Sequence, residues 1–296
     1  MSHPEVFRIE IKHDVCVRCG ACVELCLAKV YEQTDDGVEP ARPERCFACG
    51  HCVAVCPTDA IDHQLFPLDE CPLIDADSLP SLDGLIAGFR ERRSQRVFKD
   101  ESIPRETIEK LLDVGRWAPS ASNQQPVDWL VIDDRKRIAE LSNGVLDALG
   151  RLVALARNPL LRPLVRLIGG KEMARQARKA ASDFEEARKR QREGGDPILH
   201  HAPVLLVAHV PKGDRLGRDD AAYAAYNVML AAQRLGLGTC QIGFLQFALG
   251  LSRRLRRSLD IPPGRKPEIE LILGVPKYPF RRVVPRREPE ITWNER

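Results

Sequence analysis

Eight of the chain's ten cysteines fall in two runs, Cys16, Cys19, Cys22, Cys26 and Cys46, Cys49, Cys52, Cys56, and every member of the first recurs thirty positions later. Each run reads C-x-x-C-x-x-C-x-x-x-C, an internal duplication that constrains the fold more than any other feature. A cubane iron-sulfur cluster needs four thiolates converging on one small volume. A tight loop supplies three at this spacing but not the fourth, so each site borrows its last ligand from the other run. Zinc fits less well, because it favours paired C-x-x-C knuckles with four ligands per ion and no further cysteine crowded behind them. Disulfides fit least: eight cysteines within about forty residues, with no signal peptide ahead of them, point to a reducing, cytoplasmic setting.

These runs resemble those of bacterial two-cluster ferredoxins, over residues 1–66. The resemblance implies two [4Fe-4S] clusters with crossed ligation: Cys16, Cys19 and Cys22 with Cys56, and Cys46, Cys49 and Cys52 with Cys26. The second run closes on Cys56-Pro57, as that family does, whereas the first closes on Cys26-Leu27. Val6 to Ile11 reads as a short strand opening the domain, and His51, inside the second run, as a solvent-facing loop residue. A domain this small buries little apolar area per residue, so the clusters must supply much of its folding energy.

At 296 residues and 44% hydrophobic content, the chain has room for a second, larger core. Residues 67–84 read as the linker between the domains, of which 67–80, with Pro67, Pro72 and Pro80, cannot become a helix, and its Cys71 as a spare thiol. No window of eighteen apolar residues runs without interruption, so no membrane span is expected. A net charge of +3 is close to balanced and gives no support for nucleic-acid binding.

From Leu79 the apolar period becomes helical, with Leu82, Leu85, Ile86 and Phe89 on one face, ahead of Arg92-Arg93-Ser94-Gln95-Arg96. Ile108, Leu111, Leu112 and Gly115 mark a second helix, and Trp129 to Ile132 a strand. Residues 145–193 read as a helical insertion, apolar and then charged, that serves as a substrate lid or a dimer contact. Pro203 to Val210 reads as a buried strand, Asp219 as the cap of a central buried helix over Ala221 to Leu235, and Ile269 to Val275 as a last strand. Gly236 to Gly243 reads as a glycine-rich loop shaped around a ligand, with Cys240 a small buried residue beside it. His200 and His201 read as capping or surface residues.

Flavin mononucleotide needs cations and hydroxyls for its phosphate, a positive group beside its pyrimidine, and backbone N–H donors near N5 and O4. Four separated stretches offer these: Arg92 to Arg96, Ser120 to Gln125, Gln241 to Gly243, and Arg286-Arg287. In this order they resemble the nitroreductase-like FMN flavoproteins over residues 85–296. The resemblance implies an α+β fold, a mixed sheet flanked by helices behind the small ferredoxin-like domain. It implies that Arg92, Arg93, Ser94 and Arg96 grip the phosphate and ring, that Pro119, Ser120, Asn123, Gln125, Gln241, Ile242 and Gly243 line the isoalloxazine, and that Arg287, with Arg286, returns to the phosphate. It also implies a homodimer with two flavins at its interface. Gln241 stands where an aromatic is common and Val127 follows the Gln-Pro pair, two departures that bear on substrate shape.

No G-x-G-x-x-G fingerprint occurs, so electrons are expected from reduced ferredoxin or directly from NAD(P)H rather than through a separate nicotinamide domain. No acid, base or nucleophile constellation stands out as catalytic, and none is demanded where the flavin carries the chemistry. The expected function is an oxidoreductase that feeds a flavin through clusters and reduces small organic acceptors such as nitroaromatics, quinones or enones. The alternatives are an electron-transfer subunit serving a partner protein, or a reductive dehalogenase. Iron and flavin analysis of anaerobically purified protein should return about eight irons and one FMN per chain; zinc in place of iron would refute the cluster assignment.

Overall fold

The computed structural model describes residues 6–157 and 182–294. They form two compact units, one running to Pro80 and including Ser120–Gln125, the other comprising Ser81–Pro119 and everything from Pro126 onward.

In the first unit β1 (Ile9–Ile11) pairs antiparallel with β4 (Ile61–His63), and β2 (Glu32–Thr34) with β3 (Gly37–Glu39). The opening strand is shorter than the apolar run suggests. One-turn helices α1 (Ala21–Leu25) and α2 (His51–Val55) carry the third cysteine of each run and end just before the fourth, and His51 begins α2 exposed. The duplication is repeated in the backbone: left-handed residues recur at Arg18 and Ala48, at Gly20 and Gly50, and at Lys29 and Asp59, with φ between 53° and 75°. Phe7, Ile9, Val30, Tyr31, Val38, Val53 and Ile61 make a thin core, against which Cys22, Cys26, Cys46, Cys52, Cys56 and the spare Cys71 pack.

The second unit is built on a sheet of order β5-β6-β8-β7, from β5 (Asp128–Ile132), β6 (Val204–Pro211), β7 (Gly238–Gln241) and β8 (Arg265–Gly274), all paired antiparallel. A parallel bridge from Ser94 to Thr239 gives the edge its mixed character. Successive side chains of a strand point to opposite faces, so β6 and β8 feed two apolar layers. Val204, Leu206, Ala208, Ile269, Leu271 and Leu273 pack with α4 (Arg105–Gly115) and α7 (Gly217–Arg234). Leu205, Val207 and Ile272 pack on the other side with α5 (Arg135–Arg157) and α8 (Gly243–Leu251). The helix α3 (Leu82–Glu91), capped by Ser81 Oγ accepting from Gly84 N at 3.2 Å, leads into Arg92.

Several local expectations are corrected. The central helix α7 begins at Gly217, and its entry is held by Asp214, whose Oδ1 accepts from the N–H groups of Leu216 and Gly217 at 3.0 Å each; Asp219 lies inside the first turn and does not cap. The Gly236–Gly243 stretch is not a loop throughout, because Gly238–Gln241 is the edge strand β7. A Cβ on Gly238 would stand 2.5 Å from Gln95 Cγ, so this glycine serves the close passage of a neighbouring chain segment rather than a free turn. Residue 145 lies within the single helix α5, where Val145 and Leu146 are fully buried core, so that part of the expected insertion is not a lid. Residues 182–192 are helical (α6), and residues 158–181 of the expected insertion, with Leu160, Leu161, Leu164, Val165, Leu167 and Ile168, lie outside the described residues.

Gly274 ends β8 where a Cβ would meet the Phe98 ring at 2.5 Å and Pro203 at 2.9 Å. Gly274→Ala should therefore cost the second unit about 1–3 kcal/mol by overpacking. Gly88→Ala, in open space inside α3, should instead stabilise it by about 0.5–1 kcal/mol. Urea unfolding followed by tryptophan fluorescence checks both, since Trp117, Trp129 and Trp293 all lie in this unit.

Candidate cofactor-binding sites

In the first unit, Cys16, Cys19, Cys22 and Cys56 border one enclosed space together with Pro57, Thr58 and Ile61. A second-run cysteine thus meets three of the first run. The converse grouping shows in the electrostatics, where the neighbouring thiols acting on Cys46 are Cys49 and Cys26. None of the ten cysteines is joined in a disulfide. Burial pushes the Cys22, Cys46 and Cys52 thiols up, so they resist ionising on their own and become thiolates only when something positive shares the space. Backbone N–H groups point at the sulfurs: Val30 N to Cys26 Sγ at 3.4 Å, Ala48 N to Cys46 Sγ at 3.4 Å and Ala60 N to Cys56 Sγ at 3.2 Å. Among the described residues no three ligands converge closely enough for a single metal ion. Half-buried thiols spread around a small space, with N–H donors behind them, suit a polynuclear cluster, whose own size separates its ligands.

Two further side chains lie among these thiols, and the spacing of the cysteines does not announce either. His63 is buried, its Nε2 lies 3.5 Å from Cys46 Sγ, and burial holds its imidazole below the ordinary value against the pull of Asp62. Tyr31 is also buried, and its hydroxyl has no hydrogen-bond partner. Burial, then the proximity of Cys52, pushes that phenol well above its ordinary value.

In the second unit, a cavity of about 540 Å³ is lined by Arg96, Ile198, His200, Cys240, Gln241, Ile242, Gly243, Phe244 and Phe247. It brings together Arg96 and the Gln241–Gly243 turn, which lie far apart in sequence. Arg92 and Arg93 border a separate space with Gln95, Gly238 and Thr239. The division follows from local geometry. Ser94 bridges Thr239 of β7 and Gln95 N donates to Thr239 O at 2.9 Å, after which 97–99 pair with 275–277; Gln95 and Arg96, successive in the chain, border the two different spaces. Cys240, the expected small buried residue, is 2% exposed beside this cavity.

His200 is a site residue that sequence reading placed elsewhere. It lines the cavity as a left-handed residue with φ 58°, and burial, with Arg96 and His201 opposing Asp196, lowers its imidazole below the ordinary value. Its signal in the sequence was slight, since nothing links it locally to Arg96. Ser120, Asn123 and Gln125 fold with the first unit. There Ser120 Oγ accepts from Gln125 N at 2.9 Å, Asn123 Oδ1 from Gln125 Nε2 at 3.3 Å, and Asn123 Nδ2 donates to Ala48 O at 2.7 Å. Pro119 closes the preceding stretch of the second unit. Arg286 and Arg287 stand in an exposed tail, where Arg287 pairs with Glu290 at 3.2 Å rather than reaching the cavity.

Behind the turn lies Glu270 of β8. Its carbonyl accepts from Ile242 N at 2.9 Å, which fixes the turn, while both carboxyl oxygens are buried with no hydrogen-bond partner. Burial, and then the neighbouring Glu268 carboxylate, pushes its pKa up to about 8, with Arg218 pulling the other way.

Comparison with known proteins assigns both units. Residues 89–275 match the nitroreductase family and residues 15–61 the 4Fe-4S dicluster domain. The 4-nitrobenzoate reductase of Nocardioides sp. (strain LMS-CY) is 29% identical over 244 residues, 72% of this chain and 89% of that protein. A provisionally named NADH dehydrogenase/NAD(P)H nitroreductase of Archaeoglobus fulgidus is 45% identical over 190 residues, 63% of this chain and 82% of the other. A solved nitroreductase with bound FMN from Desulfitobacterium hafniense DCB-2 superposes with a TM-score of 0.51 at 20% identity, covering 71% of this chain and 97% of that one.

Because Glu270 keeps its proton to about pH 8 when folded but releases it near pH 4.5 when exposed, folding takes up a proton between these values. Stability should therefore fall as pH rises across that window. Glu270→Gln, which cannot ionise, should flatten the slope, as measured by urea midpoints at pH 5 and pH 8.

Proposed function

Since the chain belongs to the nitroreductase family and carries a 4Fe-4S dicluster domain, we propose that it is an FMN-dependent oxidoreductase that takes in electrons through two [4Fe-4S] clusters and reduces small organic acceptors. When bound, FMN accepts one electron or two, which suits it to one-electron carriers on one side and a two-electron acceptor on the other. The observation that carries this reading is the cavity at Arg96 and Gln241–Gly243, a concave space with an arginine, a turn and apolar aromatic walls.

In this reading Cys16, Cys19, Cys22 and Cys56 hold one cluster, and Cys46, Cys49, Cys52 and Cys26 the other. Arg96 sets a fixed positive charge at the cavity, the role required beside the flavin pyrimidine. Gly243 and Phe244 open α8, where N–H groups lack partners within the helix and serve as donors to ring oxygens. Phe244 and Phe247 supply apolar walls against which a flat acceptor can lie and from which water is displaced. Arg92, Arg93 and Ser94 serve the phosphate, with Pro119, Ser120, Asn123 and Gln125 against the ring and Arg286 and Arg287 as tail contributions.

A homodimer accompanies this reading. Phe89, Tyr223, Tyr226, Phe244, Phe247 and Leu251 are large apolar side chains exposed in one chain, and a second copy would cover such surface. The exposed Tyr278, Phe280, Val283, Val284, Ile291 and Trp293 of the tail favour the rival reading, docking on another protein that receives the electrons. Among the described residues, no helix is long and apolar enough to cross a membrane.

Anaerobic turnover separates the two. Protein loaded with clusters and FMN, supplied with reduced ferredoxin or NAD(P)H, should reduce members of a panel of nitroaromatics, quinones, enones and halogenated aromatics catalytically. Full flavin and iron content without turnover of any small acceptor would replace this reading with the electron-transfer subunit.

A further inference from the structure

The two cysteine runs repeat in sequence and in backbone, but their side-chain surroundings differ. We propose that His63 and Tyr31 are hydrogen-bond donors to the cluster bound by Cys46, Cys49, Cys52 and Cys26 alone, so that they raise its reduction potential without acting on the other cluster. The inference rests on the cluster reading above and goes beyond it by making the clusters chemically unequal.

The His63 tautomer follows from its partners. Leu65 N donates to Nδ1 at 3.2 Å, so Nδ1 carries no proton. The single proton of a neutral imidazole must then sit on Nε2, which is 3.5 Å from Cys46 Sγ and donates to it. The ring is 1% exposed and lies between Phe7 and Phe66, with centroids at 5.8 Å and 4.8 Å, so it cannot swing out to water. Tyr31 gives an independent indication. Its hydroxyl is buried with no partner, which is costly unless an acceptor arrives; of the thiols acting on it Cys52 comes first, ahead of Cys22 of the other run and Cys46, and a hydroxyl has one proton to give. A Cys52 thiolate holding a cluster is such an acceptor.

The duplication supplies its own control. Thirty positions before His63 stands Gln33, exposed, with Nε2 donating to Arg18 O at 3.4 Å instead of to a sulfur. Thirty positions after Tyr31 stands Ile61, which has no donor. Of the backbone donors, Val30 N to Cys26 and Ala60 N to Cys56 are equivalent and cancel, while Ala48 N to Cys46 at 3.4 Å stands on the same side as His63 and is left unchanged by the substitutions below. The other cluster has Thr58 Oγ1 near Cys56 Sγ, at a long 3.9 Å. Each N–H or O–H bond to a cluster sulfur favours the reduced, more negative state and so raises the potential. Cys19 is exposed, and solvent acts on its cluster as well, so the inference concerns what His63 and Tyr31 add rather than which cluster ends higher.

The test is an EPR-monitored redox titration of the full chain after iron and sulfide have been counted. His63→Phe keeps an aromatic ring between Phe7 and Phe66 and removes the donor. It should lower one of the two potentials by a roughly tenfold change in the reduction equilibrium, about 59 mV for one electron, and leave the other in place. Tyr31→Phe, which deletes a single oxygen, should lower the same potential, and His63→Gln, which retains an N–H, should restore part of the loss. Both potentials unmoved in Tyr31→Phe and His63→Phe at full iron content, or both moved equally, would overturn the inference. If His63→Phe fails to hold iron, the Tyr31→Phe result alone decides. A wild-type iron content short of two clusters would instead count against the underlying reading.

Discussion

The second unit depends on two strands buried on both faces. Apart from its first residues at the β8 end, the β6–β8 pair shows no side to solvent, so its register cannot slip by one residue without exchanging two complete apolar layers. From that fixed pair the rest follows. Strand β7 adds to β8 through Cys240 opposite Ile272 and Gln241 opposite Leu271, which places the Gln241–Gly243 turn at the sheet edge. Ser94 and Gln95 then meet β7 at Thr239 and 97–99 pair with 275–277, and in between Arg96 borders the cavity while Gln95 borders the separate space. The cavity is therefore a consequence of strand order and register rather than of any loop chosen for ligand binding.

The first unit follows the opposite logic. Its apolar core is small, and the loops around the thiols adopt left-handed backbone at Arg18, Lys29, Ala48 and Asp59, none of them glycine. Such conformations cost about 1–3 kcal/mol each and persist only when their surroundings demand them. Here the demand is that N–H groups face sulfur. A framework of this kind gains its stability together with its clusters, since the unfolded chain offers no preformed site.

The two units also differ in how much electrostatic freedom they allow. Around the thiols, polar groups are few and directed: three backbone N–H groups, the His63 imidazole and, at a long 3.9 Å, the Thr58 hydroxyl approach sulfur. Around the cavity, charge comes from Arg96 against a partly buried, neutral-leaning His200, with the protonated Glu270 below the turn.

The sequence alone determined the two cysteine runs and their kinship in spacing, because spacing is a local property and the duplication repeats it. It also determined the buried strand β6 and the helices α4 and α7, whose apolar periods need no knowledge of their neighbours. Only tertiary structure decided the remainder. Gly144 and Gly150 do not break α5, because they admit Leu255 and Phe184, to which a Cβ would stand at 2.8 Å and 2.9 Å. Gly238 to Gln241 became a strand only because β8 lies alongside with unpaired backbone, and two glycines in so short a stretch conceal that from any local reading. His63 and His200 acquired their places through partners distant in the chain, Cys46 in one case and Arg96 in the other. A ligand set written in consecutive residues can be read in one dimension, whereas a cavity wall gathered from three segments exists only once long-range strand pairing has brought them together.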